Sequence, residues 1–258
     1  MRKIKKNNLP RSRKAKIIVV MPAYNAEKTL AKTYHDLTPG IVDKVILVDD
    51  GSHDKTVAKA KKLGIKTFVH PQNRGYGGNQ KTCYTMATSE EADIIVMVHP
   101  DYQYDSSLTG DMVKPIKEGR FDIMLGSRIR TRSEALAGGM PIWKYFANRL
   151  LTVLENMVLG LNLSEYHTGF RAFNKKVLTT LPFHKFSDDF VFDQDFLISA
   201  NYSGFRIGEI AVPVRYFPEA SSINFRRSLK YGIETLFDLA KYLSVRSGFY
   251  KSRIFSRK

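Results

Sequence analysis

The segment KVILVDDGSHDKT, residues 44–56, carries a run of Val, Ile and Leu directly into two acids, a Gly-Ser pair and a polar stretch. Three other segments have the same apolar character: KIIVVMPAYN (16–25), IIVMVHPD (94–101) and FDIMLGSR (121–128). Each has the length of a strand, and continuous apolar runs rich in Ile and Val are typical of strands buried on both faces of a sheet. The four segments therefore predict a parallel sheet.

The stretches between these strands have helical spacing at residues 27–37, 54–63 and 79–88, and a short further strand, IKTFVH, lies at 65–70. Strands that alternate with helices indicate that both faces of the sheet are covered. The pattern predicts an α/β fold with a mostly parallel central sheet and helices on both faces.

The alternation weakens after the fourth apolar segment, where a loop leads into a long helical stretch from Trp143 to about Leu161. No Pro/Gly/Ser-rich linker separates this half from the first, so we predict one domain over residues 17–224. A basic tail at 1–16 precedes the domain, and a basic, amphipathic helical segment at 225–258 follows it.

The composition is that of a globular protein. The chain has 258 residues, 43% of them hydrophobic, which is ample for a buried core. A single cysteine, Cys83, excludes an internal disulfide framework and a cysteine-based zinc site, and it suits a reducing compartment. No apolar stretch has the length of a membrane span or the position of a signal peptide. We expect a cytoplasmic protein without a transmembrane helix.

The net charge of +16 is concentrated at the two ends of the chain. Eight Lys or Arg and no acid precede Ile17, and nine Lys or Arg against two acids follow Phe225. The residues between them, with 24 basic and 23 acidic side chains, are almost neutral. Basic ends suit an anionic membrane surface, where each Lys or Arg contributes about 1 kcal/mol. They would also suit nucleic acid, and a disordered solubilising tail is a third interpretation.

The end of the chain predicts an amphipathic helix. Apolar residues recur at helical spacing from Phe225 to Leu243, with Lys and Arg between them. Such a helix lies on a membrane surface in one interpretation and packs on its own domain in the other.

Polar side chains follow the ends of the predicted strands. Tyr24 follows the first strand, Asp49 and Asp50 end the second, and Asp101 and Arg128 end two others. In parallel sheets ligands bind beyond the carboxyl ends of the strands, where the loops gather. These positions therefore predict a single binding site.

Two motifs near this edge are suited to binding a nucleotide. Asp49 and Asp50 can accept hydrogen bonds from a base or a ribose, while Gly51 has the alternative role of a turn residue. The stretch NRGYGGNQK, with Gly78, is either an anion-binding turn before a helix or a plain loop. We count Asp49, Gly51 and Gly78 among the candidate nucleotide ligands.

The stretch HPDYQYD, residues 99–105, predicts a cation site. Oxygen ligands favour Mg²⁺ or Mn²⁺, and such an ion would also bridge a substrate diphosphate. Asp101 is the first candidate ligand, with His99 and Gln103 beside it. A lone histidine is more often structural, but next to Asp101 it is a plausible second ligand or phosphate contact.

Taken together, MPAYNAEKTL, VDDGSHDKT, GSR, HTGFRAF and VPVRYFPEASS occur in the order and spacing of glycosyltransferase family 2. The chain resembles in particular the branch that contains dolichyl-phosphate mannose synthase and related polyprenyl-phosphate glycosyltransferases. The resemblance covers about residues 17–224. It implies the GT-A fold, a nucleoside diphosphate sugar as donor and inversion at the anomeric carbon.

The resemblance also implies roles for individual residues. Positions that hold the nucleotide are matched by Pro22, Ala23, Tyr24, Glu27 and Asp50. Asp101 and Gln103 match the second half of an Asp-x-Asp metal motif, and His99 stands where the family has the first Asp.

Other matched positions lie around the phosphates of the donor and of a lipid acceptor. They are Arg128, Arg215, Ser221 and Ser222, and Arg171 falls in the same acceptor half. Family members with integral membrane anchors carry C-terminal transmembrane helices, whereas this chain ends in a basic amphipathic segment.

The acceptor decides whether a base is needed. A polyprenyl phosphate offers an oxygen that is already anionic, whereas a sugar hydroxyl must give its proton to a carboxylate. Asp193 falls where hydroxyl-using members carry the Asp of a Glu-Asp motif, with Phe192 in place of the Glu. We predict Asp193, Asp101 and Arg128 as catalytic residues, with the cation and Arg128 stabilising the departing diphosphate.

We expect an inverting, metal-dependent transferase that moves a sugar from a GDP- or UDP-linked donor to a polyprenyl phosphate or another membrane-proximal acceptor. A soluble or polysaccharide hydroxyl is the alternative acceptor. A nucleotidyltransferase is the rival enzyme, but it would want a basic glycine-rich loop after the first strand, which MPAYNAEKTL lacks. A basic nucleic-acid-binding module is the more distant alternative, and we expect no nucleic acid partner.

Overall fold

A computed structural model describes residues 14–129, 131–137, 139–213 and 225–255. In these residues seven strands form one sheet in the order β3-β2-β1-β4-β6-β5-β7. The strands are β1 (Ile17–Ala23), β2 (Lys44–Asp49), β3 (Lys66–Val69), β4 (Ile94–Met97), β5 (Ile123–Ser127), β6 (Arg171–Asn174) and β7 (Ile207–Ala211). The predicted mostly parallel sheet is confirmed, and β6 alone among them runs antiparallel to its neighbours β4 and β5.

Helices pack on both faces of the sheet, as predicted. They are α1 (Leu30–His35), α2 (Thr56–Lys62), α3 (Tyr76–Ser89), α4 (Thr109–Lys117), α5 (Arg132–Ala137), α6 (Ile142–Leu159), α7 (Lys175–Thr180), α8 (Phe192–Tyr202) and α9 (Phe225–Arg246). The long predicted helical stretch after Trp143 corresponds to α6.

The sheet separates two hydrophobic cores, and β1 contributes to both. Ile18 and Val20 pack in one core, whereas Ile17, Val19 and Met21 pack in the other. Successive side chains of a strand point to opposite faces, so a strand buried on both sides must be apolar throughout. This is why the strand segments read as unbroken apolar runs.

The first helix begins later than predicted, at Leu30 rather than at residue 27. Side chains that follow β2 already bind the N–H groups of the preceding turn. Ala26 N donates to Thr56 Oγ1 (2.7 Å), and Glu27 N donates to Asp54 Oδ2 (3.0 Å). These bonds fix the loops after β1 and β2 to each other at the carboxyl edge of the sheet.

The last helix, α9, has two apolar faces. One face packs on the domain. Its residues Leu239 and Tyr242 are 4% exposed and belong to the core that contains Ile18 and Val20 of β1. The other is exposed to solvent and consists of Leu229, Ile233, Leu236, Phe237 and Leu243. The segment therefore packs on its own domain and still presents an apolar surface. Among the described residues, no helix is long and apolar enough to cross a bilayer.

Two acids are buried where α8 meets α9. Asp195 and Asp238 are 5% and 3% exposed. Burial, with the negative charge of Asp238 added, raises the pKa of Asp195 to about 7, and burial also raises the pKa of Asp238. Asp195 accepts a hydrogen bond from Ser187 N (2.8 Å) and lies outside the wall of the main cavity. Its role is therefore in the contact between the two helices.

We expect Asp195→Asn to stabilise the protein above pH 7. Because the pKa of Asp195 is raised from an ordinary 3.8 to about 7, the folded state holds the proton more tightly, and stability falls as pH rises between these values. Each pKa unit corresponds to about 1.4 kcal/mol. Urea unfolding from pH 5 to pH 9 measures this slope. Asp195→Asn should lose most of this fall in the free energy of unfolding with pH. Asp111→Asn, a change at an exposed acid on α4, should keep it and is the control. An unchanged slope in Asp195→Asn would contradict the assignment.

Candidate active site

A cavity of about 930 Å³ lies at the carboxyl edge of the sheet. Its wall is built by the loops after β1, β2, β4 and β5 and by the helices α3, α6, α8 and α9. Nine of the residues singled out from the sequence line it: Pro22, Ala23, Tyr24, Asp50, His99, Asp101, Gln103, Arg128 and Asp193. The topology thus brings together side chains from both halves of the chain.

Other candidates lie outside the wall. Glu27 accepts a hydrogen bond from Lys55 N (3.1 Å) and joins the first loop to the start of α2. Asp49 accepts from the backbone N (2.9 Å) and the hydroxyl (2.5 Å) of Ser52, closing a turn in which Gly51 has a φ of 78°. Asp49 therefore has a structural role in this turn. Arg215, Ser221 and Ser222 fall outside the described residues.

Asp50 lies in the wall but also has internal partners. Its carboxylate accepts the N–H groups of Arg74 (2.9 Å) and Gly75 (3.1 Å), and His70 Nδ1 lies 2.7 Å away. The glycine-rich stretch does bind an anion, as one interpretation of the sequence had it, but that anion is the carboxylate of Asp50. Asp50 thereby ties the end of β2 to the loop before α3.

Gly78 has no N–H group directed at the cavity. The N–H groups of Gly77 and Gly78 donate to the carbonyl oxygen of Asp188 (2.8 and 3.3 Å). A Cβ atom at Gly77 would collide with the backbone of residues 187–188 and with Phe192. The glycines therefore allow α3 to approach the segment before α8, which corrects the prediction of a ligand contact for Gly78.

The cation site predicted at Asp101 has few protein ligands. Asp101 and Gln103 are 6% and 5% exposed, and Asp101 Oδ1 accepts Gln103 N (3.0 Å). The buried side-chain nitrogen of Gln103 has no hydrogen-bond partner in the protein. Within the described ranges, no group of three or more His, Cys, Asp or Glu could hold a metal. Asp101 fits a hard cation that takes most of its oxygen ligands from a bound diphosphate, and the unpartnered nitrogen of Gln103 can donate to an oxygen of that diphosphate.

His99 faces the interior of the cavity wall. Its ring stacks on Tyr76, with centroids 5.3 Å apart and an interplanar angle of 23°, and Nε2 lies 3.2 Å from the Tyr76 hydroxyl. A Cβ atom at Gly169 would lie 2.6 Å from His99 Cδ2, so the ring packs directly on that backbone. Burial lowers the pKa of His99, and the charges of Asp101 and Asp193 oppose this effect.

Asp193 is held by three donors. Its Oδ2 accepts the Tyr76 hydroxyl (2.7 Å) and pairs with Arg171 Nη2 (2.9 Å), and its Oδ1 accepts Gln80 Nε2 (3.0 Å). Arg171 is fully buried and lies beneath the wall rather than in it. The expectation that Arg171 touches an acceptor is therefore corrected, since the guanidinium has no exposed surface and serves as the counter-charge of Asp193.

Basic side chains line the part of the cavity formed by the loop after β5 and by α6 and α9. Arg128 pairs with the buried carboxylate of Glu165 and donates to the carbonyl oxygen of His167 (2.5 Å). Lys144 of α6 lies beside it, and burial, with the positive charge of Arg128, lowers the pKa of Lys144 to about 8. Arg227 and Lys230 of α9 complete this part of the wall, where Lys230 Nζ pairs with Asp189 Oδ2 (2.6 Å). The donors of positive charge thus come mainly from the second half of the chain.

Three residues of the site were not predicted from the sequence: Tyr76, Gln80 and Lys144. Tyr76 and Gln80 are four residues apart on α3, so they lie on one helical face and reach Asp193 together. That spacing is visible in GYGGNQ, but its partner on α8 is not. Lys144 follows the single tryptophan at the start of a predicted helix, a position with no distinctive motif.

Comparison with known proteins gives a consistent result. Residues 18–181 match the family model "Glycosyl transferase family 2". An uncharacterized protein of Methanocaldococcus jannaschii is 30% identical over 230 residues, which are 88% of this chain and 91% of that protein. The UDP-N-acetylglucosamine–dolichyl-phosphate N-acetylglucosaminyltransferase of Methanococcus voltae is 28% identical, covering 78% of this chain and 86% of that enzyme.

Solved structures share the fold. Glucosyl-3-phosphoglycerate synthase from Mycobacterium tuberculosis, in complex with Mn²⁺, UDP and glucosyl-3-phosphoglycerate, matches with a TM-score of 0.66 and 19% identity. The match covers 92% of this chain and 82% of that one. The same enzyme with Mg²⁺ and UDP matches with a TM-score of 0.65 and 20% identity. The fold is therefore GT-A, as the resemblance implied.

We expect Arg171→Met to lower the free energy of unfolding by about 3–5 kcal/mol, because it leaves the buried charge of Asp193 without its partner. Arg206→Met is the matched control. It breaks the pair with Asp122, in which the arginine side chain is 54% exposed, and should cost far less. Urea unfolding of both variants at pH 7 measures the difference. Equal losses in the two variants would contradict a buried ion pair.

Proposed function

Since this chain belongs to glycosyltransferase family 2, we propose that it transfers a sugar from a nucleoside diphosphate sugar to the phosphate of a polyprenyl phosphate. The observation that carries the choice of acceptor is the state of Asp193, whose two oxygens already accept hydrogen bonds from inside the protein. An acceptor that brings its own negative charge needs no proton removed. A basic wall formed by Arg128, Lys144 and α9 would attract it.

In this proposal the donor binds at the β1–β2–β4 side of the cavity. Tyr24 is half exposed there, and Asp50 and Asp101 line the wall. The Methanococcus voltae relative is named for a UDP-linked donor and a dolichyl-phosphate acceptor, and the Mycobacterium tuberculosis enzyme binds UDP with Mn²⁺ or Mg²⁺. These properties support a UDP-linked sugar, with a GDP-linked one as the other candidate.

Asp101, with Gln103 beside it, would hold Mg²⁺ or Mn²⁺, which when bound supplies positive charge to the departing diphosphate. Arg128 adds positive charge on the acceptor side of the cavity, and its pairing with Glu165 fixes its orientation. The cation would stabilise the negative charge that develops on the departing diphosphate. Arg128 would hold the attacking phosphate, whose negative charge decreases as its oxygen bonds to the anomeric carbon.

The transfer itself exchanges one bond for another. An anionic oxygen of the polyprenyl phosphate forms a bond to the anomeric carbon, and the bond from that carbon to the diphosphate oxygen breaks with its electron pair on the leaving group. Attack from the face opposite the leaving group inverts the anomeric centre. The products are a sugar-linked polyprenyl phosphate and a nucleoside diphosphate.

A hydroxyl acceptor is the second candidate, because Asp193 does line the cavity. In that reaction Asp193 would take the proton of the hydroxyl. Its oxygens would then have to exchange bonds from Tyr76, Gln80 or Arg171 for one from the substrate. The present arrangement therefore favours the phosphate.

Two exposed apolar helix faces support contact with an anionic membrane surface. On α6 the exposed residues are Ile142, Phe146, Leu150, Val153 and Met157, and α9 adds its own exposed face, from Leu229 to Leu243. Trp143 and Lys144 of α6, with Arg227 and Lys230 of α9, connect these helices to the cavity wall. A bilayer against this surface would bring lipid phosphates to the basic side of the cavity.

The direct test is transfer of radiolabelled sugar from a panel of UDP- and GDP-linked donors, with Mn²⁺, to polyprenyl phosphate in anionic vesicles. Label extracted with the lipid supports the proposal, whereas transfer only to soluble or polysaccharide hydroxyls would overturn it.

We expect Asp101→Asn to lower the turnover of the productive donor by about 100-fold or more, because it weakens charge stabilisation at the leaving group. An unchanged melting temperature shows that the variant folds, and full activity would contradict the role of Asp101.

Lys144 gives the reaction a pH dependence. Because the pKa of Lys144 is lowered to about 8, its positive charge is present at pH 7 and is lost as pH rises through that value. The KM for polyprenyl phosphate should therefore rise between pH 7 and pH 9. Lys144→Arg keeps its charge throughout this range, so its KM should change little. A KM that rises equally in both proteins would assign the effect to another group.

A further inference from the structure

The position of His99 differs from what a metal ligand requires. The residue two places before Asp101 matches an acid in the family motif, yet its ring is stacked between the Tyr76 ring and the backbone of Gly169. Its Nε2 is 3.2 Å from the Tyr76 hydroxyl. One of its two ring nitrogens, Nε2, is therefore directed toward α3 and the acceptor half, and His99 also bonds the backbone of Pro22.

The hydrogen bonds at Tyr76 have a direction. The hydroxyl carries one proton, and the shorter bond, 2.7 Å, gives that proton to Asp193 Oδ2. The oxygen of Tyr76 is then free to accept from His99 Nε2 in the tautomer of His99 that carries its hydrogen on Nε2. The result is a chain in which His99 donates to Tyr76 and Tyr76 donates to Asp193.

Packing holds the chain in place. The Tyr76 ring lies between His99 and Phe190, whose centroid is 4.7 Å away. Gly169 N donates to the Tyr104 hydroxyl (2.9 Å), which fixes the backbone on which His99 rests. The three members come from the loop after β4, from α3 and from α8, and all three line the cavity. A change at His99 would therefore reach Asp193 through one hydroxyl group.

We propose that His99 and Tyr76 are positioning residues that keep the carboxylate of Asp193 bonded inward, so that its charge does not oppose an anionic acceptor. Arg171 and Gln80 bind Asp193 from beneath, and the Tyr76 hydroxyl binds it from the cavity side. Without the hydroxyl, Oδ2 keeps its pair with Arg171 but loses its donor on the cavity side. The carboxylate of Asp193 would then repel an incoming phosphate. In this arrangement His99 takes no part in binding the cation.

The first test is spectroscopic and does not depend on any substrate. In protein labelled with ¹³C at the aspartate carboxyl groups, the resonance of Asp193 is assigned by its loss in Asp193→Asn. Tyr76→Phe and His99→Ala should both move this resonance. His99→Gln, which can place an amide N–H near the position of Nε2, should leave it close to that of the wild type. Tyr166→Phe removes a buried hydroxyl bond to Asn156 elsewhere and is the control. A resonance that does not move in His99→Ala would overturn the chain.

The second test rests on the proposed function. Tyr76→Phe and His99→Ala should each raise the KM for polyprenyl phosphate by about 10- to 100-fold, the effect of one hydrogen bond to a charged group, and should leave kcat at saturation nearly unchanged. The double variant should show no further increase, because the two residues act through the same bond. Additive increases would overturn the proposal.

The same variants separate positioning from metal binding. In the proposed arrangement, His99→Ala leaves the Mn²⁺ concentration for half-maximal turnover unchanged, whereas Asp101→Asn raises it. A similar rise in His99→Ala, without one in Tyr76→Phe, would make His99 a metal ligand and overturn the proposal. If no donor supports transfer to polyprenyl phosphate, the proposed function fails. The carboxyl resonance of Asp193 still decides whether the hydrogen bonds that link His99, Tyr76 and Asp193 exist.

Discussion

The buried guanidinium group of Arg171 needs an acidic partner, and the position of α8 on the sheet depends on that need. Arg171 is fully enclosed, and Asp193 is its acidic partner at 2.9 Å. A charge removed from water is tolerated only when it is paired and hydrogen-bonded, so the two residues must stay together. Arg171 begins β6 and Asp193 lies in the first turn of α8. Their pairing therefore attaches α8 to β6 of the sheet and fixes the position of Asp193 in the cavity wall.

The sequence was sufficient to predict β1, β2, β4 and β5, because a strand buried on both faces can tolerate almost no polar residue. The same reasoning identified the carboxyl edge as the place where Tyr24, Asp50, Asp101 and Arg128 would meet. It could not foresee the antiparallel β6, since HTGFRAF is short and mixes polar with apolar residues. The later start of α1 also escaped prediction, because its cause is a pair of hydrogen bonds to residues of another loop.

Individual side chains were harder to assign than the elements that carry them. Two adjacent acids after a strand look like ligands, yet Asp49 closes its own turn and Asp50 binds the backbone before α3. Arg171 looked like an acceptor contact and is instead buried beneath Asp193. In each case the sequence shows a charged group near the site, while its partner is remote in the chain and becomes visible only when the fold is known.

The contact of His99 with Gly169 has a consequence for how such a protein can diverge. A side chain at position 169 would overlap the imidazole, and a smaller residue at position 99 would leave a gap against the same backbone. The two positions are distant in the chain but share one volume. Relatives that carry an acid at position 99 do not have an imidazole in this volume. We therefore expect residues other than glycine at position 169 mainly in relatives that lack histidine at position 99.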